Sequence, residues 1–176
     1  VGLLNIGSED MKGHEEVRAA AAILSSIKFP GRYHGFVEGN DIPLGTVDVV
    51  VTDGFTGNVV IKVAEGVASL SNDLLKQAFK SSFLGKVGAF LAYPALKKMK
   101  KRLDPRAYNG GMFLGLNGIC VKSHGGMNAV GFYHAIMVAA KLVKNDYNSR
   151  VAKEMEQVMN QESFFSAVAA QEGDVV

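Results

Sequence analysis

The stretch that most constrains the fold is Val47-Asp48-Val49-Val50-Val51-Thr52-Asp53-Gly54-Phe55-Thr56-Gly57-Asn58-Val59-Val60-Ile61-Lys62. Val47 to Val51 is a nearly continuous β-branched run, which predicts a parallel strand buried on both faces. Asp53-Gly54 signals a turn, and Thr56-Gly57-Asn58 offers a loose backbone and capping side chains. The apolar run from Val59 predicts a buried helix starting near Asn58. A helix N-terminus carries free N–H groups and a positive dipole end, both suited to phosphate. An ordinary strand-to-helix connection would look the same, so any ligand must be argued from the rest of the chain.

The flanking sequence repeats the alternation. Val1 to Ile6 predicts a strand ending at Asn5-Ile6-Gly7, followed by a polar connection to Lys12-Gly13. Val17, Ala20, Ala21, Leu24 and Ile27 fall at helical spacing, with Glu15 and Glu16 in the first turn, so a helix is expected from His14 to about Ile27. Tyr33 to Val37 predicts a second strand, closed by the polar turn Glu38 to Asp41. Asn109-Gly110-Gly111 reads as a loop, Leu114 to Gly118 as strand and turn, and Ile119 to Gly126 as a second strand-to-loop unit. Helices are expected from about Asn128 and over Tyr147 to Asn160, with a frayed tail over 161–176. Strands alternating with helices indicate an α/β domain with a mostly parallel sheet over 1–160.

Charge is unevenly distributed. The 176 residues carry a net charge of +2, yet nine of the 19 Lys and Arg lie between Lys76 and Arg106, where Asp104 is the sole acid. There, from about residue 80 to 102, apolar and basic residues are mixed. Phe83, Leu84, Val87, Phe90 and Leu91 stand with Lys97, Lys98, Lys100 and Lys101, and Pro94 interrupts them. Two short helices projecting from the body are expected, with Phe and Leu on one side and Lys on the other. Such a patch suits an anionic partner: a membrane surface or an acidic protein, with no nucleic acid expected. No apolar run is long enough for a membrane span. Val1 to Gly7 has neither a basic start nor a cleavage site, so no secretory leader is expected there. The single cysteine, Cys120, precludes an internal disulfide, fits a reducing, cytoplasmic setting, and is expected in the core of its strand. The chain opens without Met on a strand-like run, which predicts either a piece of a longer protein or a gene product lacking a preceding half.

Ligands of open α/β sheets sit beyond the carboxyl ends of the strands. Four loops leave such ends: Asn5 to Lys12, Glu38 to Asp41, Asp53 to Asn58, and Lys122 to Asn128. They offer Lys12, Lys122, His124, Asn5, Asn58 and several glycines, which is the composition of an anion site with a titratable group. Each also has a structural reading: His124 as a loop histidine, the lysines as solvated, Asp53 and Asn58 as turn and cap. His14, His34 and His134 have no partner at metal-ligand spacing, so no metal is assigned.

The residues carry a resemblance. Val37-Glu38-Gly39-Asn40-Asp41-Ile42, then Asp48 to Lys62, then Leu103-Asp104-Pro105-Arg106-Ala107-Tyr108-Asn109-Gly110-Gly111, then Leu114 to Gly118 and Lys122-Ser123-His124-Gly125, closely resemble the C-terminal half of the bacterial phosphate acyltransferases (PlsX). Leu3 to Gly7 and Lys12-Gly13 also match. The ordered set, over residues 1 to about 160, carries the likeness rather than any one motif. It implies a Rossmann-like fold of the isopropylmalate dehydrogenase and phosphotransacetylase type, a homodimer, and no cofactor. It also implies transfer of a long acyl chain from acyl carrier protein to inorganic phosphate for phospholipid synthesis, with a glycerol-phosphate acyltransferase using the product.

That chemistry suits these residues. Phosphate attacks a thioester carbonyl, so the protein needs no nucleophile of its own. It must hold anions together and stabilise an oxyanion. Asn58, Lys12 and Lys122 fit that task, with Asn5, Asp53, Gly54, Thr56, Gly57 and Gly125 lining the site. His124 is suited to moving a proton between phosphate and the leaving thiolate. Two other classes stay open: a decarboxylating dehydrogenase of related fold, disfavoured by the lack of an acidic metal cluster, and a non-catalytic half-domain that dimerises or binds membrane.

Overall fold

The computed structural model describes residues 1–161 together with Ser166 and Ala169. Of the tail expected to fray, 162–165, 167–168 and 170–176 lie outside the described residues. The chain forms two compact units, one of residues 1–67 with 153 onward, the other of 68–152.

The first unit is an α/β layer. Strands β1 (Gly2–Leu4), β2 (Gly35–Val37) and β3 (Val50–Val51) form a parallel sheet in the order β2-β1-β3. Leu3 lies opposite both Phe36 and Val51. Helix α1 (Glu15–Ser26) makes the first crossover and packs on β1 and β2; its limits fall one residue inside those read from the apolar spacing. The polar turn at Gly39-Asn40 leads into a short helix, α2 (Asp41–Leu44), which ends on Gly45. Leu3 and Val37 are buried on the sheet, 5 % and 2 % exposed.

Two expectations for the opening stretch fail. The β-branched run is an edge strand, not the centre of the sheet, and Val49 and Val51 are about half exposed, at 51 % and 46 %. Helix α3 (Gly54–Lys80) has no buried residue, and Val59, Ile61, Val63 and Val67 all face out. The reason is topological. Among the described residues β3 has a neighbour on one side only, and no second layer stands there for the apolar helix to pack against. At the other end of the unit Val158 of α6 (Tyr147–Met159) is buried. Gln161 acts as a strand partner for one residue: its Oε1 accepts from Lys28 N–H at 2.7 Å and its Nε2 donates to Lys28 C=O at 3.1 Å.

In the second unit, one helix, α4 (Phe83–Arg102), runs through Pro94 where two short ones were expected. Ser82 caps it, accepting from Gly85 N–H at 2.9 Å. Proline removes one backbone donor, and on so exposed a helix water can take the carbonyl left over. A 3₁₀ turn (Pro105–Tyr108) follows, capped by Asp104. The Arg106 guanidinium beside Asp104, helped by Arg106 N–H, holds that carboxyl down to about 2. Strands β4 (Gly111–Met112) and β5 (Val121–Lys122) pair antiparallel, so this part is a hairpin and adds nothing to the parallel sheet. Leu114 to Leu116, read as strand, is the hairpin connection. Cys120, expected in the core, is exposed, because a two-stranded ribbon has one face uncovered. Helix α5 (Ala129–Lys144) packs on the 3₁₀ turn and on β5, with Ala135 buried.

Among the described residues, no helix is long and apolar enough to cross a membrane.

Candidate functional site

The first unit holds a cavity of about 490 Å³ beyond the carboxyl ends of β1, β2 and β3, where the sheet rule places ligands. Leu4, Ile6, Val17 and Val60 make an apolar wall; Asn5, His14, Thr52, Asp53 and Thr56 supply the polar groups. Three of the expected site residues, Asn5, Asp53 and Thr56, are therefore brought together.

Each polar group is held by local structure. Asn5 is buried; its Nδ2 donates to Lys12 C=O at 2.9 Å and its Oδ1 accepts from Ile6 N–H at 2.9 Å. That bond closes the β1–α1 loop and fixes Gly13 beneath it. Gly13 has φ +90°, and a Cβ there would lie 1.9 Å from Asn5 Oδ1. Asp53 is the N-cap of α3, accepting from Thr56 N–H at 2.8 Å. Hydrogen bonding from Thr56, side chain first and then backbone, keeps its carboxyl below the usual range. The helix begins four residues earlier than the apolar run indicated, so Gly54, Thr56 and Gly57 form its first turn. Asn58 is thus an exposed residue of the second turn, not a cap. Asp53 already takes the Thr56 amide and puts a negative charge at the helix start, which makes this N-terminus a poorer anion cradle than the sequence suggested.

Lys12 is exposed and paired with Glu9 at 2.7 Å. The Glu9 carboxylate raises the lysine above its usual value, and the lysine lowers the carboxylate. The ammonium is thus fixed in its charged form at the rim of the loop.

In the second unit, Lys122 is exposed on β5, and His124 and Gly125 follow in the loop to α5. His124 Nδ1 accepts from Gly126 N–H at 3.1 Å. That bond assigns the proton of the neutral ring to Nε2, leaving an outward N–H donor. Its backbone is held by Asn109, which is buried and which the sequence placed in a loop and in one of the family-like motifs but gave no role in the site. Two other residues were missed, His14 and Thr52, both on the cavity wall. Their signal was position alone, at the start of α1 and the end of β3.

The basic helix is also now explicit. On one continuous α4, Leu84, Leu91 and Lys98 recur at seven-residue spacing, and Val87 and Lys101 stand fourteen residues apart, so each set shares a face. Apolar and basic residues are segregated along the helix rather than across it, correcting the two-sided pattern expected. Phe83, Leu84, Phe90 and Leu91 are all strongly exposed.

The profile of the fatty acid synthesis protein family matches residues 1–150. The chain belongs to that family, the phosphate acyltransferase (PlsX) family its motifs resemble. The chain is 56 % identical over 170 residues to the phosphate acyltransferase of Paramagnetospirillum magneticum, covering 97 % of this chain and 48 % of that protein. It is also 56 % identical to the phosphate acyltransferases of Rhodospirillum centenum, over 155 residues (88 % of this chain, 44 % of that one), and Caulobacter vibrioides, over 158 (90 % and 44 %). The chain therefore spans less than half the length of these curated relatives. Every candidate site residue, and the whole of α4, lies inside the stretch the family profile covers.

Proposed function

We propose that this chain is part of an acyltransferase that moves a long acyl chain from the thioester of acyl carrier protein to inorganic phosphate, giving acyl phosphate for phospholipid synthesis. The observation that carries the reading is the 56 % identity, over nearly the whole chain, to a relative named phosphate acyltransferase. In the reaction a phosphate oxygen bonds to the thioester carbon, the C–S bond breaks, and the phosphate proton passes to the sulfur. The protein's part is to orient two anions and to steady the developing oxyanion. In the first unit Asn5 and Thr56 would shape the phosphate cavity, and Lys12 and Asn58, which stand outside its lining, would attract and orient the anion from the β1–α1 loop and the second turn of α3, with Gly54 and Gly57 in the first turn. The ionised Asp53 would face the neutral part of the substrate. In the second unit Lys122 would add charge, Gly125 would let the loop approach the substrate, and His124 Nε2–H would donate to the oxyanion or leaving sulfur.

The test is a mass-spectrometric search for acyl phosphate when the complete polypeptide is given long-chain acyl carrier protein and phosphate. Phosphate-dependent release of the carrier protein is expected. Release at the same rate without phosphate would overturn the reaction, and hydride transfer to a nicotinamide would favour the dehydrogenase.

The reading extends to a homodimer that touches the membrane from the cytoplasmic side and passes acyl phosphate to a glycerol-phosphate acyltransferase. It is α4 that supports this. Its exposed Phe83, Leu84, Val87, Phe90 and Leu91 suit insertion among acyl chains, and Lys97, Lys98, Lys100 and Lys101 suit anionic headgroups or the acidic carrier protein. Each lysine near an anionic surface contributes about 1 kcal/mol, so attachment would be reversible and sensitive to salt. Leu84→Glu and Val87→Glu are expected to abolish co-sedimentation with anionic vesicles while the dimer persists. Variants that become monomeric would put α4 in the dimer interface; variants that stay dimeric and still bind would remove it from the membrane contact.

A further inference from the structure

Asn109 is 6 % exposed and lies between the 3₁₀ turn and β4, outside the four strand-end loops that suggested an anion site. Its amide makes three hydrogen bonds. Nδ2 donates to Ser123 Oγ at 2.8 Å and to Gly131 C=O at 2.8 Å, and Oδ1 accepts from His124 N–H at 2.9 Å. These partners are 14, 22 and 15 residues away, so one side chain ties the β5–α5 loop to the first turns of α5. The backbone beside it is shaped for the approach. Gly110 has φ +115°, and a Cβ there would lie 3.0 Å from Ala135 Cα, so only glycine lets the segment rest on α5. No other side chain of this size fills the position. Aspartate lacks both donors, and leucine lacks donors and acceptor alike.

We infer that Asn109 is the positioning residue of the site: by holding the Ser123–His124 peptide against α5, it sets where the His124 imidazole stands. This rests on the reading of His124 as a donor in acyl transfer. A group that must meet an oxyanion is sensitive to its support, since a displacement of 1 Å can cost about a hundredfold in rate. The local bonds of the loop would not suffice alone. Among the described residues the hydrogen bond of the His124 ring is to Gly126 N–H, two residues on, which leaves the pair free to move together.

The experiment uses the complete acyltransferase with Asn109→Ala, Asn109→Asp, His124→Ala and, for loss of packing alone, Val138→Ala. Two quantities are read: kcat against KM for phosphate, and amide hydrogen exchange at His124. Asn109→Ala is expected to lower kcat by roughly ten- to a hundredfold with KM little changed, and to speed exchange at His124. Asn109→Asp keeps an acceptor for that amide and is expected to fall between Asn109→Ala and the parent. Should the alanine variant fail to fold, the aspartate variant carries both readouts. Val138→Ala should cost stability without moving kcat. Parental kcat in both Asn109 variants overturns the inference, as does a loss of kcat that Val138→Ala matches at equal loss of stability. Parental kcat in His124→Ala would overturn the role given to His124. Unchanged exchange at His124 in a folded Asn109→Ala would overturn the hold on the loop, whatever His124 does.

Discussion

Replacing His124 by alanine in the complete acyltransferase is expected to lower kcat by roughly a hundredfold, the size of effect seen when a positioned donor or proton-transfer group is lost. The fold should survive. The ring is exposed and its hydrogen bond is to Gly126 N–H in the same loop, so little packing goes with it. Asn58→Ala is expected to lose activity to a similar extent, and here stability gives a sharper contrast. Asn58 sits in the second turn of α3, exposed, where alanine is the better helix former by a few tenths of a kcal/mol. A variant that melts no lower than the parent yet turns over about a hundredfold more slowly has lost chemistry, not structure. Steady-state kinetics beside thermal melting make the distinction. Unchanged kinetics in both variants would remove these residues from the site. A large fall in melting temperature would return them to purely structural duty.

Local features were legible in the sequence; what covers them was not. The limits of α1 could be read because its apolar residues recur at helical spacing between a polar start and Pro30-Gly31. The run Val47 to Val51 records that a strand wants cover on both faces. It does not record which chain provides it, and within these residues β3 is an exposed edge. The start of α3 was misplaced because Gly54 and Gly57 look like loop, while the Asp53 cap that lets the helix begin early depends on a bond to Thr56. The antiparallel β4–β5 hairpin was missed for a related reason: its strands are two residues each, too short to show a period. In the candidate site, three of the residues named from loops at strand ends, Asn5, Asp53 and Thr56, line one cavity. Asn109 could not be found that way, because its meaning lies in partners at 123, 124 and 131 that only the folded chain brings near.

The largest stability effect is expected at Gly13. Its φ of +90° lies in a region where side chains other than glycine's are strained, at about 1–2 kcal/mol. The strain is the smaller part. A Cβ 1.9 Å from Asn5 Oδ1 cannot be accommodated without moving the Asn5 amide. That amide is buried and makes two bonds, to Lys12 C=O and from Ile6 N–H. Leaving such a group unsatisfied costs about 1–3 kcal/mol more. Gly13→Ala should therefore cost about 3 kcal/mol, which for a domain of this size lowers the melting temperature by roughly 6–12 °C. Gly66→Ala provides the opposite case. It lies within α3 with nothing within 4 Å of a built Cβ, and alanine there should stabilise by about 0.5–1 kcal/mol. Because the Asn5 amide also forms part of the cavity wall, Gly13→Ala should raise KM for phosphate even well below its melting temperature, whereas Gly66→Ala should not. Thermal melting and kinetics of the pair in the complete protein measure both. Equal melting temperatures for the two variants would mean that the β1–α1 loop yields easily, and the Asn5 clamp would then have no part in holding the cavity open.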